Sequence, residues 1–462
     1  MFSAEVYQQR RQRLIEKAEP GLLLFLGNVD APMNYPDNAY PFVQDSSFRY
    51  FFGLNDAGLA GVIDTRTQTS MLFGSDVEVA DIVWTGALPT LAERAVTIGV
   101  QESHPYAELE QVLRDALIEG VSVQYLAPYR GDTILELARL LGRTADAVKR
   151  GASQSLACGV VALREIKGEE EVAEMERALE VTRAMHIAAM QASRPGVVEY
   201  EVVGKMEGIM RGHDWQLAYP TIFSRRGEVL HNHHHHNTLQ AGDLVVNDSG
   251  ATADSGYASD ITRTIPVGGR FSPRQRELYE TVLAMQLDAI AAMKPGVRYF
   301  DVHRLAAATM VGRMKALGFF HGDTQQIVDS GAYAIAFPHG LGHQIGMDVH
   351  DMENLGENLV GYGDELERSP LFGLGYVRMA KTLRAGMVIT VEPGMYFIPA
   401  LIDAWQQEGR FADMIDYDKF QAYRDFGGIR IEDNVLVTAT GSRVLGTPIP
   451  KTVAEVEAIM AG

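Results

Sequence analysis

The chain contains one cysteine, too few cations to balance its acids, and no apolar run long enough to cross a membrane. A single cysteine cannot close an internal disulfide, and 462 residues without such bridges suit a reducing compartment, so a soluble cytoplasmic protein is expected. Cys158, in "SLACGVVAL", reads as a small buried thiol rather than a nucleophile. Lysine and arginine total 41 against 60 acidic residues, and a net charge of −19 argues against nucleic acid or an anionic membrane as partner. The richest apolar stretch, "GLLLFLGNV", is far too short to span a bilayer, and the opening "MFSAEVYQQRRQRLIEKAEP" lacks the apolar segment of a signal peptide. His-Glu-x-x-His, a Walker-type glycine loop and Gly-x-Ser-x-Gly are all missing, and "GLGHQIG" has the wrong spacing for a dinucleotide fingerprint.

The length is too great for one ordinary core and points to two domains. Up to about residue 155, apolar runs such as "GLLLFLG", "GLAGVID" and "VSVQYLA" alternate with helical stretches such as "PYAELEQVLRDALIEG", which predicts a mixed α/β domain. At "LREIKGEEEVAEMERALEVTRAMHIAAM" the texture becomes that of a long helix with its acids in the first turns. Domains over residues 1–158 and 159–462 follow. The second contains a faint repeat. "IAAMQASRPGVVEYEVV" and "AIAAMKPGVRYFDVHRL" end helices at Pro195 and Pro295. Downstream, "LQAGDLVVNDSG" and "LRAGMVITVEPG" each place a carboxylate six positions after a glycine, at Asp248 and Glu392. A second strand in each half carries another acid, Asp260 in "GYASDITRT" and Glu432 in "GGIRIEDNVLVT".

Each acid taken alone could face solvent from the polar side of its strand. As a duplicated set on strands rich in valine and isoleucine, four acids pointing inward would repel one another and need a cation. Between the two acidic ribbons lies "AFPHGLGHQIGMDVHD", with His339, His343 and His350 among glycines that let the backbone come close to a site. One imidazole and four carboxylates suit a pair of hard or borderline divalent ions better than a single zinc. Two ions about 3.5–4 Å apart would hold and acidify a water and clamp a tetrahedral intermediate, which implies metal-assisted hydrolysis.

At these residues the sequence resembles the creatinase-like, pita-bread metallopeptidases, the prolidase and aminopeptidase P family, over nearly its whole length. "FVQDSSFRYFFGL" with "GLAGVID" is similar to the family's amino-terminal domain, and "LREIKGEEEV" to the opening of its pseudo-twofold catalytic domain. "DITRT", "HGLGHQIGMDVHD", "TVEPGMYF" and "GGIRIEDNV" resemble its metal and substrate motifs. The resemblance implies two divalent ions, manganese first with cobalt or zinc as substitutes, on Asp248, Asp260, His343, Glu392 and Glu432. It implies Glu392 as the proton shuttle for a metal-bridging hydroxide. His350 and His231 would line the substrate, His339 would stand behind the ligands, and Arg430 would orient them. Asp248 and Asp260 are twelve apart, one more than usual in the family, and the extra residue is expected in the turn "TADSG". A relative kept only for binding would lack ligands, whereas all five are present here.

The resemblance leans to a dipeptidase cutting Xaa-Pro, with an aminopeptidase acting on longer peptides as the alternative. Arg378, fourteen residues before Glu392, would grip the carboxylate of a terminal proline, unless it is a surface arginine in a loop with Lys381 and Arg384. The substrate would be a small peptide with proline second, and the assembly a homodimer. Trp84 would then close a neighbour's pocket, or else be a core tryptophan. In "GEVLHNHHHHNTL" only His231 matches a family histidine; His233, His234, His235 and His236 would form a loop at the pocket rim.

Overall fold

The structure is a computed structural model that describes residues 1–461. The chain forms two compact units, one from Met1–Arg164 together with Met352–Gly356, the other from the rest of the described chain.

The first unit is built on a five-stranded mixed sheet in the order Glu102–Pro105, Thr69–Gly74, Ala60–Asp64, Leu22–Leu26, Val123–Tyr125. The central three strands are antiparallel and the two flanking ones run parallel to their neighbours. Leu22, Leu24, Val62 and Phe73 pack under Leu109, Leu113, Leu137 and Leu140, which come from the helices Leu109–Ile118 and Gly131–Leu141. Cys158 is exposed, contrary to the buried thiol expected. The helix Gln154–Arg164 buries Leu156, Ala157, Val160 and Val161, and position 158 falls on its opposite face. Trp84 is 86% exposed on the short helix Val79–Thr85, which rules out the core alternative.

In the second unit the repeat becomes architecture. The helices Glu169–Ala192 and Pro273–Ala292 stop where the residue before a proline cannot remain helical, at Pro195 and Pro295. Gly196 and Gly296 then turn at φ 91° and 87°, which lets the chain launch the helices Glu199–Arg211 and Tyr299–Ala316. Each Pro-Gly turn is clamped by the start of the second repeated motif. Gly196 donates to the Leu239 carbonyl (2.8 Å) and Gly296 to that of Leu383 (2.9 Å), and Leu239 and Leu383 donate back to Val197 and Val297.

The strands that follow are three per half rather than the two expected. Leu244–Ser249 lies between Ile222–Ser224 and Ile261–Pro266, and Asp433–Val437 between Val388–Val391 and Ser442–Val444, all antiparallel. A further ribbon pairs Gly394–Tyr396 with Gly428–Arg430. Only Asp248 lies within a strand. Asp260, Glu392 and Glu432 stand just outside strand ends, where the ladder stops and a side chain can turn towards a common point. Between Asp248 and Asp260 the chain turns at 253–257, closed by hydrogen bonds between Ala253 and Tyr257 and between Gly256 and Ala253. Among the described residues no helix is long and apolar enough to cross a membrane.

Gly250 sits where this loop returns against the strand. A Cβ there would lie 1.9 Å from the Ser259 carbonyl oxygen, a backbone atom that no rotamer change can move. Gly250→Ala should therefore cost about 2 kcal/mol or more of unfolding free energy, read by denaturant titration, and a variant as stable as the parent would refute this account of the loop.

Candidate metal centre

Asp248, Asp260, His343, Glu392 and Glu432 converge in the second unit on one wall of a cavity of about 720 Å³. Asp260, His343 and Glu432 form the tightest group, each offering a ligand atom within 4.8 Å of the others. Asp248 and Glu392 join it through hydrogen bonds. His343 Nε2 stands 3.4 Å from both Asp260 Oδ2 and Glu392 Oε1. Its Nδ1 faces the Gln344 carbonyl at 3.0 Å, so the ring is held by a donated hydrogen bond with Nε2 turned to the acids. Thr390 Oγ1 accepts from the His343 amide (3.0 Å) and lies 3.3 Å from Glu392 Oε1.

Tyr219, which nothing in the sequence marks, matters here. Its hydroxyl stands 2.6 Å from Asp248 Oδ1 and 2.5 Å from Asp260 Oδ1. One phenolic proton cannot be donated to both, so the contact is complete only if a proton or a cation sits among these oxygens. Arg430, whose role was expected, donates through Nη2 to Asp248 Oδ2 (2.5 Å), through Nε to Thr262 Oγ1 (3.1 Å) and through Nη1 to the Tyr396 hydroxyl (2.9 Å). Tyr396 also meets His339 Nε2 at 2.9 Å, while His339 Nδ1 faces the Gly340 carbonyl at 2.8 Å. Burial and the Arg430 charge drive the His339 pKa down to about 3, so the neutral ring donates at Nδ1 and accepts from Tyr396 at Nε2. His339, Tyr396 and Arg430 thus form one line of hydrogen bonds ending on Asp248. Thr262, in "DITRT", donates to Glu432 Oε2 at 2.7 Å.

Electrostatics make the set costly to bury. Desolvation and the neighbouring carboxylates push Glu432 well above the usual range, and desolvation likewise raises Asp248. Burial pushes Glu392 up to about 7, only partly offset by His343. Asp260 goes the other way despite its burial, because His343 hydrogen-bonds it. Burial would lower His343, but Asp260 and Glu392 overcome that and hold it at about 9. Glu432 Oε1 is buried and meets no hydrogen-bond donor among the described residues. An orphaned buried carboxylate oxygen facing three more acids and an imidazole fits hard or borderline divalent cations.

The remaining expected residues line the same cavity. His350 stacks on His343, ring centres 3.8 Å apart. The histidine run divides: His231 and His233 line the cavity, His235 Nδ1 lies 3.1 Å from the Phe223 carbonyl, and His236 packs on Tyr200. Burial and Arg430 lower the His231 pKa. Arg378 is on the cavity wall, 39% exposed, 3.7 Å from Glu357 Oε2. The sequence reading missed Arg368, which grips Glu357 at 2.7 Å and also lines the cavity.

Residues 173–439 match metallopeptidase family M24, and residues 7–123 match the aminopeptidase P N-terminal domain. The Xaa-Pro aminopeptidase of Escherichia coli (strain K12) is 30% identical over 477 residues, covering 99% of this chain and 98% of that protein. The Xaa-Pro dipeptidase of Homo sapiens is 31% identical over 483 residues, covering 99% and 93%. A solved structure of zinc-substituted E. coli aminopeptidase P in complex with product superposes with a TM-score of 0.81 at 30% identity, over 100% of this chain and 98% of that one.

With the Glu392 pKa at about 7 and that of His343 at about 9, His343 is protonated at neutral pH and Glu392 about half so when no cation is present. Ligation must expel these protons, so manganese uptake near pH 7 should release protons, and affinity should fall as the pH drops. Calorimetry in two buffers of different ionisation enthalpy measures this directly. Uptake with no net proton release would contradict the assignment of these groups as ligands.

Proposed function

Since the chain belongs to metallopeptidase family M24, we propose that it hydrolyses the bond between any residue and a following proline, and that dipeptides are its principal substrates. The observation that carries this reading is that four carboxylates, one imidazole and Arg378 line a single cavity. Held by Asp248, Asp260, His343, Glu392 and Glu432, two divalent ions would supply Lewis acidity and a nucleophile at neutral pH, with manganese first and cobalt or zinc as substitutes.

The side chains supply the rest. Glu392, which lines the cavity with the other acids, can take a proton from the attacking water and return it to the departing proline nitrogen. His350 and His231, on the cavity wall, can donate to the oxygen that develops charge as the carbonyl becomes tetrahedral. Arg430 keeps Asp248 in place, and His339 through Tyr396 keeps Arg430 in place. Arg378 would receive the free carboxylate of the terminal proline, and that grip distinguishes dipeptides from longer chains. Trp84, exposed on the first unit, is available for the contact of a homodimer.

A second reading has a specific observation in its favour. Glu357 sits beside Arg378 and Arg368, so part of the positive charge at the wall is already balanced. A wall balanced in this way suits peptides that continue past proline, as an Xaa-Pro aminopeptidase requires. Gly-Pro, Leu-Pro and an Xaa-Pro-Yaa tripeptide assayed together with manganese decide between the two. Cleavage of the tripeptide alone would remove the dipeptidase reading.

Arg378→Ala should raise KM for dipeptides by roughly 10- to 100-fold, the value of a charge-assisted hydrogen bond, with a smaller change in kcat. An unaltered KM would end the carboxylate role. His231→Ala should lower kcat while His234→Ala leaves it unchanged, and equal losses would show that the run acts as a whole.

A further inference from the structure

Behind the two repeated strands lie two buried polar side chains that the chemistry above does not use. His186 stands nine residues before Pro195 on the helix Glu169–Ala192, and Gln286 nine residues before Pro295 on the helix Pro273–Ala292. The repeat therefore makes them equivalent. Both are fully buried, in helices whose other inward positions are mostly apolar. A polar group so placed must be hydrogen-bonded to be tolerated, and its partners show what it secures.

His186 Nε2 lies 3.1 Å from the Ser249 carbonyl oxygen, so that nitrogen carries the proton. Its Nδ1 then accepts from Asn247 Nδ2 at 3.1 Å. Ser249 Oγ donates to Asn247 Oδ1 (3.1 Å) and lies 3.2 Å from His186 Nε2, which closes a ring. Side chains alternate along a strand, so Asn247 and Ser249 point to the helix and Asp248 between them points the other way. The ring fixes the backbone on both sides of Asp248 without touching it.

In the second half Gln286 Nε2 donates to the Val391 carbonyl (3.3 Å), next to Glu392, and to Asp433 Oδ2 (3.1 Å), next to Glu432. Its Oε1 accepts from Lys451 Nζ at 2.9 Å. Asp433 is held as well by Lys451 (2.6 Å) and by Arg263 (2.7 Å), and Arg263 also donates to the Glu432 carbonyl at 2.6 Å. Gln286 thus ties the backbone before Glu392 to the side chain of Asp433, the residue after Glu432.

We propose that His186 and Gln286 are a repeat-related pair of positioning residues that set the aim of Asp248 and of Glu392 with Glu432, and so the affinity of the centre for its divalent ions. The inference rests on the metal-centre reading above. Groups behind metal ligands commonly contribute about 10- to 100-fold in affinity.

The test measures manganese affinity by competition with a chelator, alongside the thermal midpoint of the metal-free protein, for the parent, His186→Leu, His186→Gln, Gln286→Leu and Gln286→Met. The leucine variants and Gln286→Met should bind manganese about 10- to 100-fold more weakly. His186→Gln should stay within about threefold of the parent, because the amide used in the second half can donate to Ser249 and accept from Asn247 in the same way. A filler role would lower the metal-free midpoint and leave affinity unchanged, and that result overturns the proposal. So does a His186→Gln variant as weak as His186→Leu. If His186→Leu does not fold, Gln286→Met must still bind about 10-fold or more weakly than the parent and His186→Gln must stay within about threefold of it, and failure of either overturns the proposal. A parent protein that takes up no manganese would overturn the metal-centre reading itself, whereas normal uptake by every variant overturns only this inference.

Discussion

Burying three carboxylates, with a fourth half-buried beside them, is the constraint to which the second unit answers. Removing one charge from water without compensation costs several kcal/mol, and like charges in a site of low dielectric add to it. The fold compensates in three ways: donors from Tyr219, Thr262 and Arg430, a charged imidazole at His343, and a proton retained on Glu432 and in part on Glu392. These remain insufficient. Tyr219 has one proton for two aspartates, and Glu432 Oε1 meets no donor among the described residues. Divalent cations would satisfy both deficits at once, which is why the arrangement reads as a metal centre even from its protein atoms alone.

The halves support each other's acids as well as their own. Asp260 and Glu432 occupy equivalent places, and two residues beyond each stand Thr262 and Asn434. Thr262 of the first half donates to Glu432 of the second, while Asn434 of the second accepts from the Asp260 amide (3.1 Å) and donates to its carbonyl (2.7 Å). The exchange makes the two acids interdependent. Arg263 extends the brace by ion-pairing with Asp433, both side chains being almost wholly buried. A duplicated strand that merely packed against its copy would need only apolar residues at these positions. Here the interface is polar because it must hold charges at fixed points.

Much of this was legible because the repeat is written in residues with strong local consequences. Pro195 and Pro295 end helices, the glycines after them turn at positive φ, and a fixed count from Gly242 and Gly386 reaches Asp248 and Glu392. What escaped depends on the third dimension. Tyr219 precedes a strand with no periodicity to mark it, and its role exists only because Asp248 and Asp260, distant in sequence, both reach its hydroxyl. Placing acids inside strands was wrong for three of four, since valine-rich flanks mark the strand but not the residue at which pairing stops. Cys158 was misplaced for a similar reason: an apolar neighbourhood in sequence does not say which face of a helix a position occupies.

The charge balance at the cavity wall bears on how a chain end would be recognised. Arg368 is committed, with Glu357 at 2.7 Å, the Gly375 and Val377 carbonyls at 2.9 and 3.1 Å, and the Tyr362 ring beneath it. Arg378 meets the same glutamate only at 3.7 Å and is more than a third exposed, a contact of small value in water. A carboxylate entering the cavity would compete with Glu357 for Arg378, and it can meet the guanidinium bidentately. A peptide continuing past proline would bring an amide instead, which gains less from a guanidinium and leaves the Glu357 contact in place. On the proposed reading, the Glu357–Arg378 contact is one element of the selectivity between the two substrate lengths.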